Sequence, residues 1–294
     1  MKKYVSIDIG GTAIKYGLIG DSAEILHRGE IPTEAHKGGP SILEKAVHIA
    51  RQFHKEHTIA GICISTAGVV DTKGGRIIHA APLIPNYTGI CFKKEMETLF
   101  EVPCEVENDV NCAGLAEYLS GSGADCDPML MLTIGTGIGG CMVTGGQVFH
   151  GANYSALEVG YLPVKDSDFQ TLGSARSLCQ KVAARKQEPE KDWNGFRIFH
   201  EANLGDDCCI QAIDEMADIL GFGIANLCYV LNPEVVVLGG GIMAQEDYLH
   251  DRIQRAAVSY MIEGMASRIQ IAFAKHKNDA GMLGAFYHFK NCHH

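Results

Sequence analysis

Asp8 stands near the end of an apolar stretch, Tyr4 to Ile9, that turns at once through Gly10-Gly11-Thr12, with Lys15 three residues further on. Glycine has no Cβ, so two of them at a strand-to-strand turn let backbone N–H groups approach an anion closely. Thr12 and Lys15 add a hydroxyl and an ammonium as donors, and Asp8 is placed to hold a hydrated Mg2+ near the same phosphates. An ordinary Gly-Gly hairpin with a solvated acid beside it explains these residues equally well. A second acid sits in Glu107-Asn108-Asp109-Val110-Asn111, where the strand-like Val102 to Val106 runs into a helical pattern. Asp109 there is an N-cap, a general base, or both. Asn108 beside it is suited to binding a substrate hydroxyl. Moving a phosphoryl group to an alcohol needs one carboxylate near the attacking oxygen, because positioning and charge neutralisation do the rest.

Residues 135–140 satisfy G-x-G-x-x-G, but a dinucleotide fingerprint must open a helix. Here Cys141-Met142-Val143-Thr144 alternates and then turns again at Gly145-Gly146, which reads as a hairpin. Phosphate binding by a second hairpin turn therefore ranks above dinucleotide binding, with Gly135, Thr136 and Gly137 as donors. Ser6 to Thr12 resembles Leu132 to Gly140, a weak internal echo of strand, glycine turn and strand. Two such turns facing one cleft would grip a nucleotide's phosphates from both sides. Gly239-Gly240-Gly241 ends a buried-looking strand, Val235 to Leu238. Such a turn admits a flat adenine or ribose against the backbone, although alone it is better read as a tight strand-to-helix connection. Glu158 is the single acid in a glycine-punctuated loop, His150 to Tyr161, and the strand-like run after it suits an acid aimed into a cleft. His48, His54 and His57 lie on a polar helix with no acidic or cysteine partner at metal spacing. Trp193, Phe196 and Phe199 read as helix packing, and His293-His294 has the form of a tag remnant.

Those residues have to be carried by strands at 3–9, 13–19, 23–30, 60–66, 103–107, 129–134, 140–143, 234–239 and 269–274. Helical patterns fall at 41–57, 89–100, 109–121, 174–186, 208–230, 246–260 and 279–289. Three consecutive early strands imply antiparallel hairpins, and the later alternation of helix and strand adds parallel ones, which makes an α/β fold. A chain of 294 residues has room for two domains. The expected division is 1–115, with a C-terminal helix at 279–294 packing back on it, and 116–278. Apolar residues at 46% and charged residues at 20% are ordinary for a soluble enzyme. A net charge of −10 argues against a nucleic-acid or membrane-surface binder, since both need a basic face. The early Asp8 and glycines interrupt any secretory leader, and the eleven cysteines contain no Cys-x-x-Cys pair. Free thiols in a reducing cytoplasm are the expectation.

In order and spacing these motifs resemble the ROK family of sugar kinases, within the actin/hexokinase-like ATPase superfamily, over nearly the whole chain. The resemblance implies a two-domain fold, each domain a mixed sheet flanked by helices, and ATP with Mg2+ as cosubstrates. It places the first phosphate motif on Asp8, Gly10, Gly11, Thr12 and Lys15, and the second on Thr133 to Gly139. It places the catalytic Asn-Asp pair on Asn108 and Asp109, and the adenosine motif on Gly239, Gly240 and Gly241. Sugar-side positions fall on the Thr66 to Asp71 loop with Gly68, on Asn86 and on Glu158. It also implies a homodimer acting on a small sugar. Some relatives are repressors with an N-terminal helix-turn-helix, but here Asp8 arrives within the first strand and the chain is acidic. A non-catalytic sugar-binding protein is the remaining alternative, and Asp8, Asn108 and Asp109 together speak against it.

Two departures from the family pattern go together. The usual Glu-x-Gly-His reads Glu158-Val159-Gly160-Tyr161, and the zinc segment expected near 165–172 contains no cysteine. A site stripped of its ligands does not hold zinc in that manner, so no structural zinc is expected. The missing His and the Glu ending that segment contact the anomeric end of the sugar in the family, and Tyr161 with Gln170 stand there instead. Losing a carboxylate on the O1 hydroxyl relaxes rejection of an O1-substituted glucose. The expected substrate is a β-glucoside phosphorylated at its 6-hydroxyl, with glucokinase and N-acetylmannosamine kinase as alternatives.

Overall fold

A computed structural model describes residues 1–80 and 84–293. The chain divides into two compact units, one formed by 1–119, 146–156 and 278 onward, the other by 120–145 and 157–277. In the first unit β1 (Lys3–Ile9), β2 (Ala13–Gly20) and β3 (Ile25–Pro32) are antiparallel, and β4 (Gly61–Thr66) joins β1 in parallel. A small antiparallel hairpin, β5 (Val69–Asp71) and β6 (Arg76–His79), follows β4. Next comes β7 (Cys104–Asn108), parallel to β4, and the sheet order is β3-β2-β1-β4-β7. All six residues of β4 are buried, as expected of a parallel strand covered on both faces. One face packs on α1 (Gly39–Glu56) and α2 (Phe92–Phe100) through Ile42, Ile49, Phe53, Phe92 and Met96. The other packs on α3 (Asp109–Ser120) and the C-terminal helix (Ala280–Cys292) through Cys112, Ala116, Met282 and Phe286.

The register matters most for the site. Asp8 pairs with Ser65 and Thr66 with Asn108, so the carboxyl ends of β1, β4 and β7 finish in line. Open α/β sheets present their ligands at such ends. The C-terminal helix reaches that edge by lying unusually close to α3: a Cβ on Gly284 would sit 1.8 Å from the carbonyl oxygen of Cys112. Backbone cannot yield as a flexible side chain does, so Gly284→Ala should cost about 1–3 kcal/mol of stability through overpacking. A urea-unfolding midpoint equal to that of the unsubstituted protein would contradict this contact.

The second unit begins with β8 (Met129–Ile134) and β9 (Ile138–Thr144), an antiparallel hairpin. Strand Val235–Gly239 runs parallel to β8 on its other side, followed by Gln270–Phe273. The 25-residue helix Asp207–Leu231 is buried along most of its length and is capped by Asp206, which accepts from the Cys209 N–H. Trp193 and Phe199 enter this core, whereas Phe196, expected to pack with them, is 81% exposed. The segment 146–156, expected in the larger domain, belongs to the first unit. Its Gly146 carbonyl accepts from Asn291, its Gly146 N–H donates to the Tyr118 hydroxyl, and His150 bonds Glu107. No helix among the described residues is long and apolar enough to cross a membrane.

Candidate active site

The end of β1 meets the ends of β4 and β7 around two acids. Asp8 accepts from Ser65 Oγ at 2.6 Å, and across the β1–β2 ladder it pairs with Lys15. Burial raises its pKa, and the Ser65 bond and the Lys15 charge only partly offset that. Lys15 in turn donates to Asn278 Oδ1 at 3.0 Å. The turn itself is a tight one, closed by Gly10 N–H to the Ala13 carbonyl at 3.0 Å and by Thr33 Oγ1 to the Gly10 carbonyl at 2.7 Å. Gly11 and Thr12 are exposed, and the space a Cβ on Gly11 would take is open. Gly281, at the start of the C-terminal helix, presses against Asp8. A Cβ there would lie 2.3 Å from the carboxyl carbon, a reason for glycine that sequence spacing does not reveal.

Asp109 opens α3 and is half-buried. Asn108 Nδ2 and Val110 N–H both donate to its Oδ1 at 3.0 Å. Burial first, and then the neighbouring Asp8 charge, push its pKa up from 3.8 to about 6. The helix cap is Asn108 and not Asp109: Asn108 Oδ1 accepts from the N–H groups of Val110 at 2.9 Å and Asn111 at 3.1 Å. Its amide hydrogens go to Asp109 Oδ1 and to the Gly68 carbonyl, both at 3.0 Å. With both hydrogens and the oxygen engaged, Asn108 has no spare donor for a sugar hydroxyl in this arrangement. Gly68 has φ of +100° and a Cβ there would lie 2.8 Å from the His79 carbonyl oxygen, so its place in the loop demands glycine. Asn86 is exposed with φ of +54°, and its neighbour Tyr87 hydrogen-bonds Thr66 Oγ1.

Behind this pair lies a buried network that sequence reading missed. Glu107 is fully buried; its Oε2 meets His150 Nε2 at 2.6 Å and lies 3.5 Å from His288 Nδ1. Its Oε1 accepts from the Asn108 N–H at 2.7 Å and from Asn111 Nδ2 at 3.0 Å. Burial alone would raise the Glu107 pKa, but the His150 bond and the two histidine charges hold it below the usual value. The same bond raises the His150 pKa, while burial lowers that of His288.

In the second unit the two other glycine turns come together. Gly239 pairs with Thr133 across the ladder, and Gly240, with φ of +99°, sits so close that a Cβ would lie 2.2 Å from the Ile134 carbonyl oxygen. The 135–137 turn is closed by Gly135 N–H to the Gly137 carbonyl at 2.9 Å; Thr136 and Gly241 are exposed. Gly139 and Gly140 fall inside β9, so the G-x-G-x-x-G run is a hairpin and not a dinucleotide turn. Gln170 Oε1 lies against this turn, 2.5 Å from where a Gly137 Cβ would be and 2.9 Å from where a Gly160 Cβ would be. Glu158 is exposed before the short turn Val159–Tyr161, and Tyr161 is 65% exposed. At 165–172 the chain forms a two-residue-strand hairpin, Pro163–Val164 with Ser167–Asp168, and a short helix capped by Asp168. Phe169 anchors it, its ring filling the space over Gly223.

The ROK family model matches residues 4–291. An uncharacterized protein of Clostridium perfringens is 46% identical over 99% of this chain and 98% of its own length. A β-glucoside kinase of Listeria innocua is 32% identical over 98% and 97%. The crystal structure of a ROK family glucokinase from Streptomyces griseus, in complex with glucose and AMPPNP, is 25% identical, superposes with a TM-score of 0.83 and covers 96% of this chain and 97% of its own. Matched end to end in sequence and in its helix-flanked mixed sheets, the chain belongs to the ROK family and has its actin/hexokinase-like fold.

Proposed function

We propose that the chain transfers the γ-phosphate of Mg-ATP to the 6-hydroxyl of a glucose unit at the end of a β-glucoside such as cellobiose or gentiobiose. That it is an ATP-dependent carbohydrate kinase follows from the family and its full-length relatives; the sugar and the residue roles are the proposal. The mechanism rests on Asp109, a desolvated carboxyl with a pKa of about 6 beside a second acid. Such a group is largely ionised at neutral pH, yet is a stronger base than an ordinary carboxylate. Its Oδ2, outside the bonds from Asn108 and Val110, takes the hydroxyl proton as the sugar oxygen bonds to the γ-phosphorus. The bond from that phosphorus to ADP breaks in the same step. Asn108, with its amide engaged, positions Asp109 and does not contact the sugar.

Asp8 and Asp109, each with a raised pKa, form a site short of positive charge, which fits a divalent ion. Mg2+ bound with ATP would neutralise phosphate oxygens there, held by Asp8. The turns at Gly10-Gly11-Thr12 and Gly135-Thr136-Gly137 take phosphate oxygens, Lys15 adds an ammonium, and Gly239-Gly240-Gly241 takes the adenosine. Glu158, Asn86 and Gly68 fix the sugar. Substrate choice rests on Tyr161, which presents an exposed ring where the family pattern has histidine, with no acid at Gln170. An aromatic face accepts a second sugar ring, and no buried carboxylate is left unpaired by a substituent on O1. Measured kcat/KM should be higher for cellobiose or gentiobiose than for glucose. A clear preference for free glucose makes the chain a glucokinase, like its S. griseus neighbour, and removes the β-glucoside reading.

A further inference from the structure

Behind the catalytic edge, β7 and the C-terminal helix bring Glu105, His288 and Cys292 together. One donor atom from each lies within 4.8 Å of the other two, and Cys292 Sγ is 3.7 Å from His288 Nε2. We propose that these three side chains bind a zinc-class divalent ion. His288 and Cys292 are four residues apart on one helix face. Glu105 comes from the face of β7 opposite to Cys104 and Val106, which point into the core with α1 and α2. A thiolate, an imidazole and a carboxylate together select zinc or cobalt over magnesium or calcium, which prefer oxygen alone.

The distances suit a tetrahedral ion that takes water as its fourth ligand. Metal–ligand bonds of about 2.0–2.3 Å set ligand atoms roughly 3.3–3.8 Å apart, so the sulfur and nitrogen are already in place. The Glu105 oxygen, within 4.8 Å of both, closes by at most about 1.5 Å. Outer partners are present too. Glu107 Oε2, 3.5 Å from His288 Nδ1, orients the ring so that Nε2 faces the sulfur. Lys93 Nζ engages Glu105 Oε1 at 2.6 Å, which makes Oε2 the oxygen offered to the ion. Glu105 and His288 are buried while Cys292 is exposed, so the ion has a way in from solvent. Binding replaces the Cys292 S–H bond with a sulfur–metal bond and releases the proton to water. The absence of cysteines at 165–172 does not bear on this cluster, whose ligands come from other elements.

The test is a cobalt titration of the reduced full-length chain carrying no added histidines. One equivalent of Co2+ should produce a near-ultraviolet thiolate-to-cobalt charge-transfer band, and Zn2+ should displace it. Cys292→Ser should abolish the band, whereas Cys208→Ser, on the helix Asp207–Leu231, should leave it intact. Because Cys292 is exposed, its variant should fold, and circular dichroism checks that it does. His288→Gln should weaken cobalt binding if it folds. No band in the unsubstituted chain, or a full band in folded Cys292→Ser, overturns the proposal.

Discussion

Asp109→Asn should lower kcat by about two to four decades while leaving ATP binding largely intact. The substitution keeps the size of the side chain and the oxygen that accepts from Val110 and Asn108. It removes the capacity to take a proton and, with it, the buried negative charge. Stability should move the other way. The folded-state pKa of about 6 lies above the ordinary 3.8, so between those values the folded chain binds more protons than the unfolded one. Stability therefore falls as pH rises from about 4 to about 6, by on the order of 2–3 kcal/mol in total. Asparagine escapes that cost, so the variant should be the more stable protein at pH 8 and lose its advantage below pH 4. Urea titrations of both proteins at pH 4 and pH 8, beside steady-state turnover, check the pair of effects. Near-normal turnover removes Asp109 from the role. Lost turnover with no pH-dependent stability difference would mean the carboxyl is not desolvated as the structure has it. In the unsubstituted enzyme kcat/KM should fall with falling pH below about 6. Asp8→Asn should shift that limb to lower pH, because it removes a negative neighbour.

The parts of this site that local sequence discloses are those whose reason is local. An apolar run entering Gly10-Gly11-Thr12 must turn, and a strand entering Glu107-Asn108-Asp109 ahead of a helical pattern must change conformation there. The alternation after Gly140 likewise marks a hairpin, and the long helix from Asp207 follows from its apolar periodicity. What the sequence hides is distance along the chain. Gly281 is glycine because of Asp8, and Glu107 is ionised because of His150 and His288, partners 43 and 181 residues away. Nothing in the spacing of those residues announces a pair, since register between β1, β4 and β7 brings them together. Asn108 and Asp109 show a subtler limit. Either residue type caps a helix, and only the three-dimensional arrangement assigns the cap to Asn108. Tyr161 is legible only as a departure from the family pattern, because an exposed aromatic ring carries no local signal of its own.

Glu107→Ala should destabilise the protein by about 3–5 kcal/mol, because it leaves a buried network without its acceptor. Three donors converge on that carboxylate, the Asn108 N–H, Asn111 Nδ2 and His150, and His288 Nδ1 lies 3.5 Å away. Glu107→Gln keeps an oxygen for the first two and should cost less, though it still breaks the charge-assisted bond to His150. The pH dependence separates these terms. Glu107 has a folded pKa below its ordinary 4.5, so its contribution is present above that value and is lost as pH falls through the depressed one. His150 has a folded pKa above 6.5, so its contribution is full below 6.5 and is lost as pH rises through the raised one. His288, depressed below 6.5, subtracts stability as pH falls beneath that point. The difference between unsubstituted protein and Glu107→Gln should therefore be largest between about 4.5 and 6.5 and shrink on either side. In Glu107→Ala the Asn108 N–H loses its acceptor, so kcat should fall along with stability, while KM for ATP stays nearly constant. Folded Glu107→Ala with full turnover would show that Glu107 does not hold the Asn108-Asp109 turn, and a Glu107→Gln stability difference flat across pH 4–8 would show that the buried pair carries no charge.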